Sequence, residues 1–150
     1  MPLSPALLRR RRQGAVGWSP VNLVTNGTFD TDVSNWTHTN GGTLTWDASG
    51  AADLFKAVGD SSQMYQKLPG VLFIPLATYQ FDYATISGTG TSYVGSVGPG
   101  TNNILNYGVT GRTWVVPDLD PATFDYWINF RSSVNNQSVL LDNIEVYRIA

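Results

Sequence analysis

Apolar and polar residues alternate with period two along much of this chain, most clearly in two stretches. In Thr78-Tyr79-Gln80-Phe81-Asp82-Tyr83 the aromatics fall on every second position, so they share one face of a strand while Gln80 and Asp82 share the other. In Phe124-Asp125-Tyr126-Trp127-Ile128-Asn129-Phe130-Arg131, the set Phe124, Tyr126, Ile128 and Phe130 points inward. That sends Asp125, Trp127, Asn129 and Arg131 to the opposite face, where a large aromatic among polar residues is the unusual position. Short β-like runs separated by turn residues predict further strands, giving a set near 22–25, 43–47, 52–56, 62–68, 76–87, 92–97, 103–107, 112–117, 124–132 and 137–148. Residues 87–111, rich in Gly, Ser, Thr and Asn around Gly98-Pro99-Gly100, read as long loops about short strands. Such loops either carry specificity on a rigid scaffold or simply connect its strands.

Composition supports an all-β class: Val, Thr, Tyr, Trp, Phe and Gly are abundant, and only 13% of residues are charged. A length of 150 residues suits one domain, expected over 22–150, preceded by an arm over 1–21. With no Cys, disulfides, thiol nucleophiles and thiolate metal sites are excluded. No apolar run approaches the length of a membrane span, so membrane insertion is not expected.

Charge divides the chain unevenly. Four of nine basic residues are Arg9, Arg10, Arg11 and Arg12, whereas all eleven acidic residues lie from Asp30 onward. Residues 13–150 therefore hold five basic against eleven acidic side chains, a formal charge of −6. Such a body is not expected to bind nucleic acid, whereas the Arg run suits nucleic acid, an anionic membrane or an acidic protein groove. The arm contains Pro2, Pro5, Gly14, Gly17 and Pro20, a composition of extended chain, in which Leu7 and Leu8 form at most a turn of helix before the arginines and join them as the anchoring residues. Its short apolar segment precedes the charges, the reverse of a secretion signal.

The stretch Asn22-Leu23-Val24-Thr25-Asn26-Gly27-Thr28-Phe29-Asp30, followed by Trp36, and the closing run Val139-Leu140-Leu141-Asp142-Asn143-Ile144-Glu145-Val146-Tyr147 carry a resemblance. An Asn-Gly-x-Phe-acid opening with an apolar-Asp-Asn-apolar closing strand resembles the two ends of family 4/9-like, galactose-binding-domain-like carbohydrate-binding modules. The resemblance covers about residues 22 to 148 and implies a jelly-roll β-sandwich of two antiparallel sheets, here with an extended N-terminal arm. It also implies a structural calcium ion held by Asp30 and Asp142 with backbone carbonyls. The chain departs from the family pattern with Asp30 where Glu is common and Asn143 where a second Asp is common. The other reading of these residues is that Asp30 caps a turn and Asp142 sits at a β-bulge bonded to backbone N–H groups. Trp36, Trp114 and Gln66 match core positions of the family.

Trp127, with Asn129, Arg131, Gln80 and Asp82, forms the candidate sugar-binding set. A sugar packs its C–H patch on an aromatic ring while amides, carboxylates or guanidinium groups take its hydroxyls. The competing reading places Trp127 under a loop, under the arm or in a subunit interface, where indole is favoured for the same amphipathic reasons. Catalysis is not expected. His38, in a predicted loop, is the only His, no nucleophile elbow or phosphate-binding loop is present, and Asp118 and Asp120 flank prolines in a turn.

The family resemblance and the basic arm together imply a non-enzymatic accessory protein of a tailed-phage particle, such as a decoration protein, head fibre or tail component. Such a protein assembles in the host cytoplasm without a signal peptide. Its expected partners are other virion proteins through residues 1–21, a cell-surface polysaccharide, and further copies of itself in a homo-oligomer. A decoration or adaptor protein without glycan binding, or a detached polysaccharide-binding module of a cellular system, are the alternatives.

Overall fold

A computed structural model describes residues 20–59, 62–101, 103–108 and 110–150. Leu7, Leu8 and Arg9 to Arg12 lie outside the described residues. Ten strands run in the order β1 (Thr37–Thr39), β2 (Gly42–Asp47), β3 (Ala51–Lys56), β4 (Ser62–Pro69), β5 (Thr78–Ser87), β6 (Gly90–Gly95), β7 (Leu105–Gly108), β8 (Arg112–Val115), β9 (Asp125–Ser132) and β10 (Gln137–Arg148). They form two antiparallel five-stranded sheets: sheet I in the order β1-β4-β9-β6-β7 and sheet II in the order β2-β3-β10-β5-β8. The all-β sandwich expected from the alternation is the fold observed.

Inward positions of both sheets build one core. Leu54, Met64, Phe81, Val94, Tyr126, Ile128, Phe130, Val139 and Ile144 are all essentially inaccessible. Register explains the sorting. β9 pairs with β4 so that Ile128 meets Gln66 and Phe130 meets Met64 on the inner side, while Trp127 meets Lys67 and Arg131 meets Gln63 on the outer side. At one end of the sandwich Phe73, Tyr79, Trp114 and Tyr126 stack with centroids 4.5–6.1 Å apart beneath the loops that cross between sheets.

The Asn-Gly opening is a seam along β10. Leu23 N–H donates to Val146 O, the Asn22 side chain bonds both Ile144 O and Val146 N–H, and Ile144 N–H donates to Gly27 O. Gly27 is needed there because a Cβ would fall 2.0 Å from Ile144 O. Phe29, fully buried, plugs the core at φ 44°, a backbone conformation that costs an L-residue about 1–2 kcal/mol and is outweighed by burying the ring, about 1.5–3 kcal/mol, and by its contact with Trp36. Buried Gln66 locks the seam from the other sheet, accepting from Thr25 N–H and donating to the carbonyls of Thr25 and Asn35. Trp36 and Trp114 are buried as expected.

Two expectations are corrected. Residues 22–25 do not form a regular strand, because side-chain bonds from Asn22 replace part of the ladder. His38 lies in a strand, β1, paired with Met64, where a loop was expected. The short strands expected within residues 87–111 are present as β6 and β7, with bounds shifted by one or two residues.

Candidate functional site

The outer face of sheet I is where the structure gathers groups able to hold a ligand. Its register places Gln63, Tyr65, Lys67 and Pro69 of β4 beside Arg131, Asn129, Trp127 and Asp125 of β9, and Thr91, Tyr93 and Gly95 of β6 on the far side. Trp127 is half-buried. The Lys67 ammonium stands 5.6 Å from its ring centroid and 2.8 Å from the Asp125 carboxylate. Lys67 and the Gly70 N–H hold the Asp125 carboxyl below its ordinary range, so the ion pair persists well into acid. A cation over a partly exposed ring contributes about 0.5–1 kcal/mol, enough to bias ring orientation but not to bury the indole. The indole N–H makes no hydrogen bond among the described residues.

A loop over residues 96–101 covers the other end of this face. Gly100 N–H donates to Asn129 Oδ1 at 2.9 Å, and Gln63 Nε2 to the same oxygen at 3.3 Å. Asn129 Nδ2 donates back to Trp127 O at 2.9 Å. Gly95, opposite Trp127 in β6, lets the loop lie against the sheet, since a Cβ there would sit 2.3 Å from Thr101 O. Trp127 is thus walled by Lys67 on one side and by the loop on the other.

The five sugar-site candidates do not converge. Trp127, Asn129 and Arg131 share the outer face of sheet I, but Gln80 and Asp82 belong to β5 in sheet II, on the opposite side of the molecule. The connection through residues 70–77 carries the chain from sheet I to sheet II between β4 and β5, so alternation reports the face within a strand but not the sheet. Gln80 Nε2 and Tyr147 Oη both donate to the Asp82 carboxylate, at 3.1 and 2.6 Å, in a network largely closed to solvent. Asn129 faces outward by register yet is fully buried beneath the loop, so it positions Trp127 and Gly100 and is not a surface contact. Lys67, Tyr65 and Gln63 were missed. Their own alternation with Met64, Gln66 and Leu68 is legible, but the pairing of β4 with β9 is not.

Asp30 is exposed and accepts the Thr28 hydroxyl, while Asp142 is buried and takes the Asn143 N–H and side-chain amide at a bulge in β10. The nearby carbonyls of residues 25, 26, 27 and 29 accept from Gln66, Trp36, Ile144 and Trp46. Among the described residues no three His, Cys, Asp or Glu side chains are grouped to hold a metal ion.

His38 Nε2 lies 2.8 Å from Ser62 Oγ, a contact no sequence pattern announced. Ser62 is fully buried among the described residues. Asp120 accepts from Ala122 N–H and caps a short 3-10 turn, Pro121–Thr123.

No protein-family model and no curated protein matches the chain. Among solved structures it is similar to the enzymatically active domain of bacteriophage CBA120 tailspike protein 4, at 22% identity and a TM-score of 0.56, over 85% of this chain and 21% of that one. It is also similar to a family 16 carbohydrate-binding module, at 17% identity and a TM-score of 0.54, over 83% of this chain and 99% of the module. The chain spans about a fifth of the tailspike chain and nearly all of the module. At these identities the likeness is one of fold: the protein is a β-sandwich of two antiparallel sheets, similar in fold to these two structures.

Proposed function

We propose that the protein is a non-enzymatic glycan-binding module of a phage particle, held to a larger structural protein through residues 1–21 and presenting the outer face of sheet I to polysaccharide. The carrying observation is Trp127, a half-buried indole on a polar face, walled by Lys67 and the 96–101 loop, with the Asn129 amide bonded to its backbone carbonyl. The ring offers the flat apolar surface a sugar packs on, and the free indole N–H, Lys67 and Arg131 offer donors for its oxygens. Likeness in fold to a carbohydrate-binding module and to part of a tailspike domain supports this reading. Weak single contacts would be strengthened by many copies on one particle.

In a glycan array with multimerised protein, Trp127→Ala is expected to abolish binding while leaving the unfolding midpoint within a few degrees of wild type. Binding that survives the substitution would move the site elsewhere.

A second reading, an adaptor without a sugar ligand, draws on the end of the sandwich beyond β5 and β10. There Val71, Leu72, Ile74, Leu76, Val115, Leu119 and Ile149 are all exposed. Apolar patches of this kind mark contact surfaces. Wild-type protein that binds no glycan but self-associates, with the association lost in Leu76→Ser, would favour it.

A further inference from the structure

The geometry points to an anionic polysaccharide, one bearing carboxylate or sulfate groups, as the ligand class of the Trp127 face. The inference rests on the glycan-binding reading and adds the chemistry that selects among glycans.

The two outer faces carry opposite charge. On sheet II, Asp47, Asp53, Asp82, Asp142 and Glu145 all take outward register positions. The cations of that sheet do not: Lys56 shares the inward parity of Leu54, and Arg112 and Arg148 pair with the inward-facing Phe81 and Tyr79. On sheet I the outward strand positions hold Lys67 and Arg131 and a single carboxylate, Asp125. A chain whose folded part is acidic therefore places on one face two of its five non-arm cations with a net charge of +1.

Distance decides which charges a ligand on sheet I feels. Packed sheets stand about 10 Å apart, and outward side chains add to that separation. The Debye length at physiological salt is about 8 Å, so the carboxylates of sheet II are screened from the opposite face while Lys67 and Arg131 act directly.

The two cations are also placed for an extended chain. Lys67 is directly across from Trp127, and Arg131 lies four residues further along β9, about 13 Å away. A glycan stacked on Trp127 would meet Lys67 directly, and one long enough to pass over the loop that covers Asn129 would meet Arg131 beyond it. Arg131 makes no ion pair among the described residues, so its planar donor fork is available for a carboxylate or sulfate. Lys67 is more than half exposed and can share its ammonium between Asp125 and a ligand anion. A neutral glycan would use the ring and leave Arg131 without an anionic partner among the described residues, with Lys67 held by Asp125 alone.

The test uses the full-length protein with Arg9 to Arg12 replaced by Gln, so that the arm cannot hold polyanions by itself. Probes are paired polysaccharides of one backbone: polygalacturonate with its methyl ester, alginate with its propylene glycol ester, and polysialic acid with its lactonised form. Affinity is measured by titration between about 0.1 and 1 M salt, over which the Debye length falls from about 10 to about 3 Å. The expected result is binding to an acidic member at least about tenfold tighter than to its neutralised partner, weakening with salt and lost in Trp127→Ala. Lys67→Gln and Arg131→Gln should each lower the affinity by about threefold or more, as removal of a charged contact at a partly exposed site does. Salt-insensitive binding to a neutral partner, lost in Trp127→Ala, would overturn the inference and leave the glycan reading standing. Acidic binding unchanged in both cation variants would also overturn it. No binding to any member by multimerised wild type would overturn both.

Discussion

Gln66 shows how much one buried amide can hold. Its side chain makes three hydrogen bonds to the backbone of residues 25 and 35, tying the N-terminal segment to sheet I. Gln66→Ala leaves those groups to find water in a partly closed site and is expected to lower stability by about 1–3 kcal/mol, read from urea unfolding. His38 gives the fold a pH response. Partial burial disfavours its imidazolium and moves its pKa below the ordinary 6.5, so the unfolded chain binds the proton more readily than the folded one. Its contribution to stability is then complete above pH 6.5 and lost as pH falls below that value toward the folded pKa. The unfolding midpoint should drop over that window in wild type, and His38→Gln should remove that part of the drop. A wild-type midpoint that stays level or rises as pH falls would contradict the assignment.

At the scale of elements, the strand alternation was legible and the assembly was not. Tyr126, Ile128 and Phe130 sort inward and Trp127 outward as period two requires, and nine of ten expected strands are present. What alternation cannot carry is which strands are neighbours. Gln80 and Asp82 were joined to Trp127 because both strands show a polar outer face, yet the crossing at residues 70–77 puts them on opposite sheets. Nor can it show that a Gly-rich loop lies over Asn129. The Asn-Gly and Asp-Asn motifs were legible as ends of one seam. Asn22, Gly27 and the bulge at Asp142 meet along β10 through hydrogen bonds. We expect EDTA to leave the unfolding midpoint within about 2 °C of its value in calcium. A rise of several degrees with calcium, abolished in both Asp30→Asn and Asp142→Asn, would instead make the two carboxylates metal ligands.

The whole molecule has two charged faces and one apolar end. Residue 20 lies at that same end, because residues 23 to 27 run antiparallel to β10, whose last residues pair with the start of β5. No helix among the described residues is long and apolar enough to cross a membrane. The direction of the seam matters if the protein is ever under load. A pull on residue 20, against a sandwich held by its sheet I face, acts along the strand direction. The bonds of Asn22, Leu23 and Gly27 to β10 would then be strained together rather than opened one after another, with the buried Phe29 ring as a stop behind them. The same few contacts that close the sandwich would make it resist shear, and its lifetime under tension would be set by the rate at which this one seam slides.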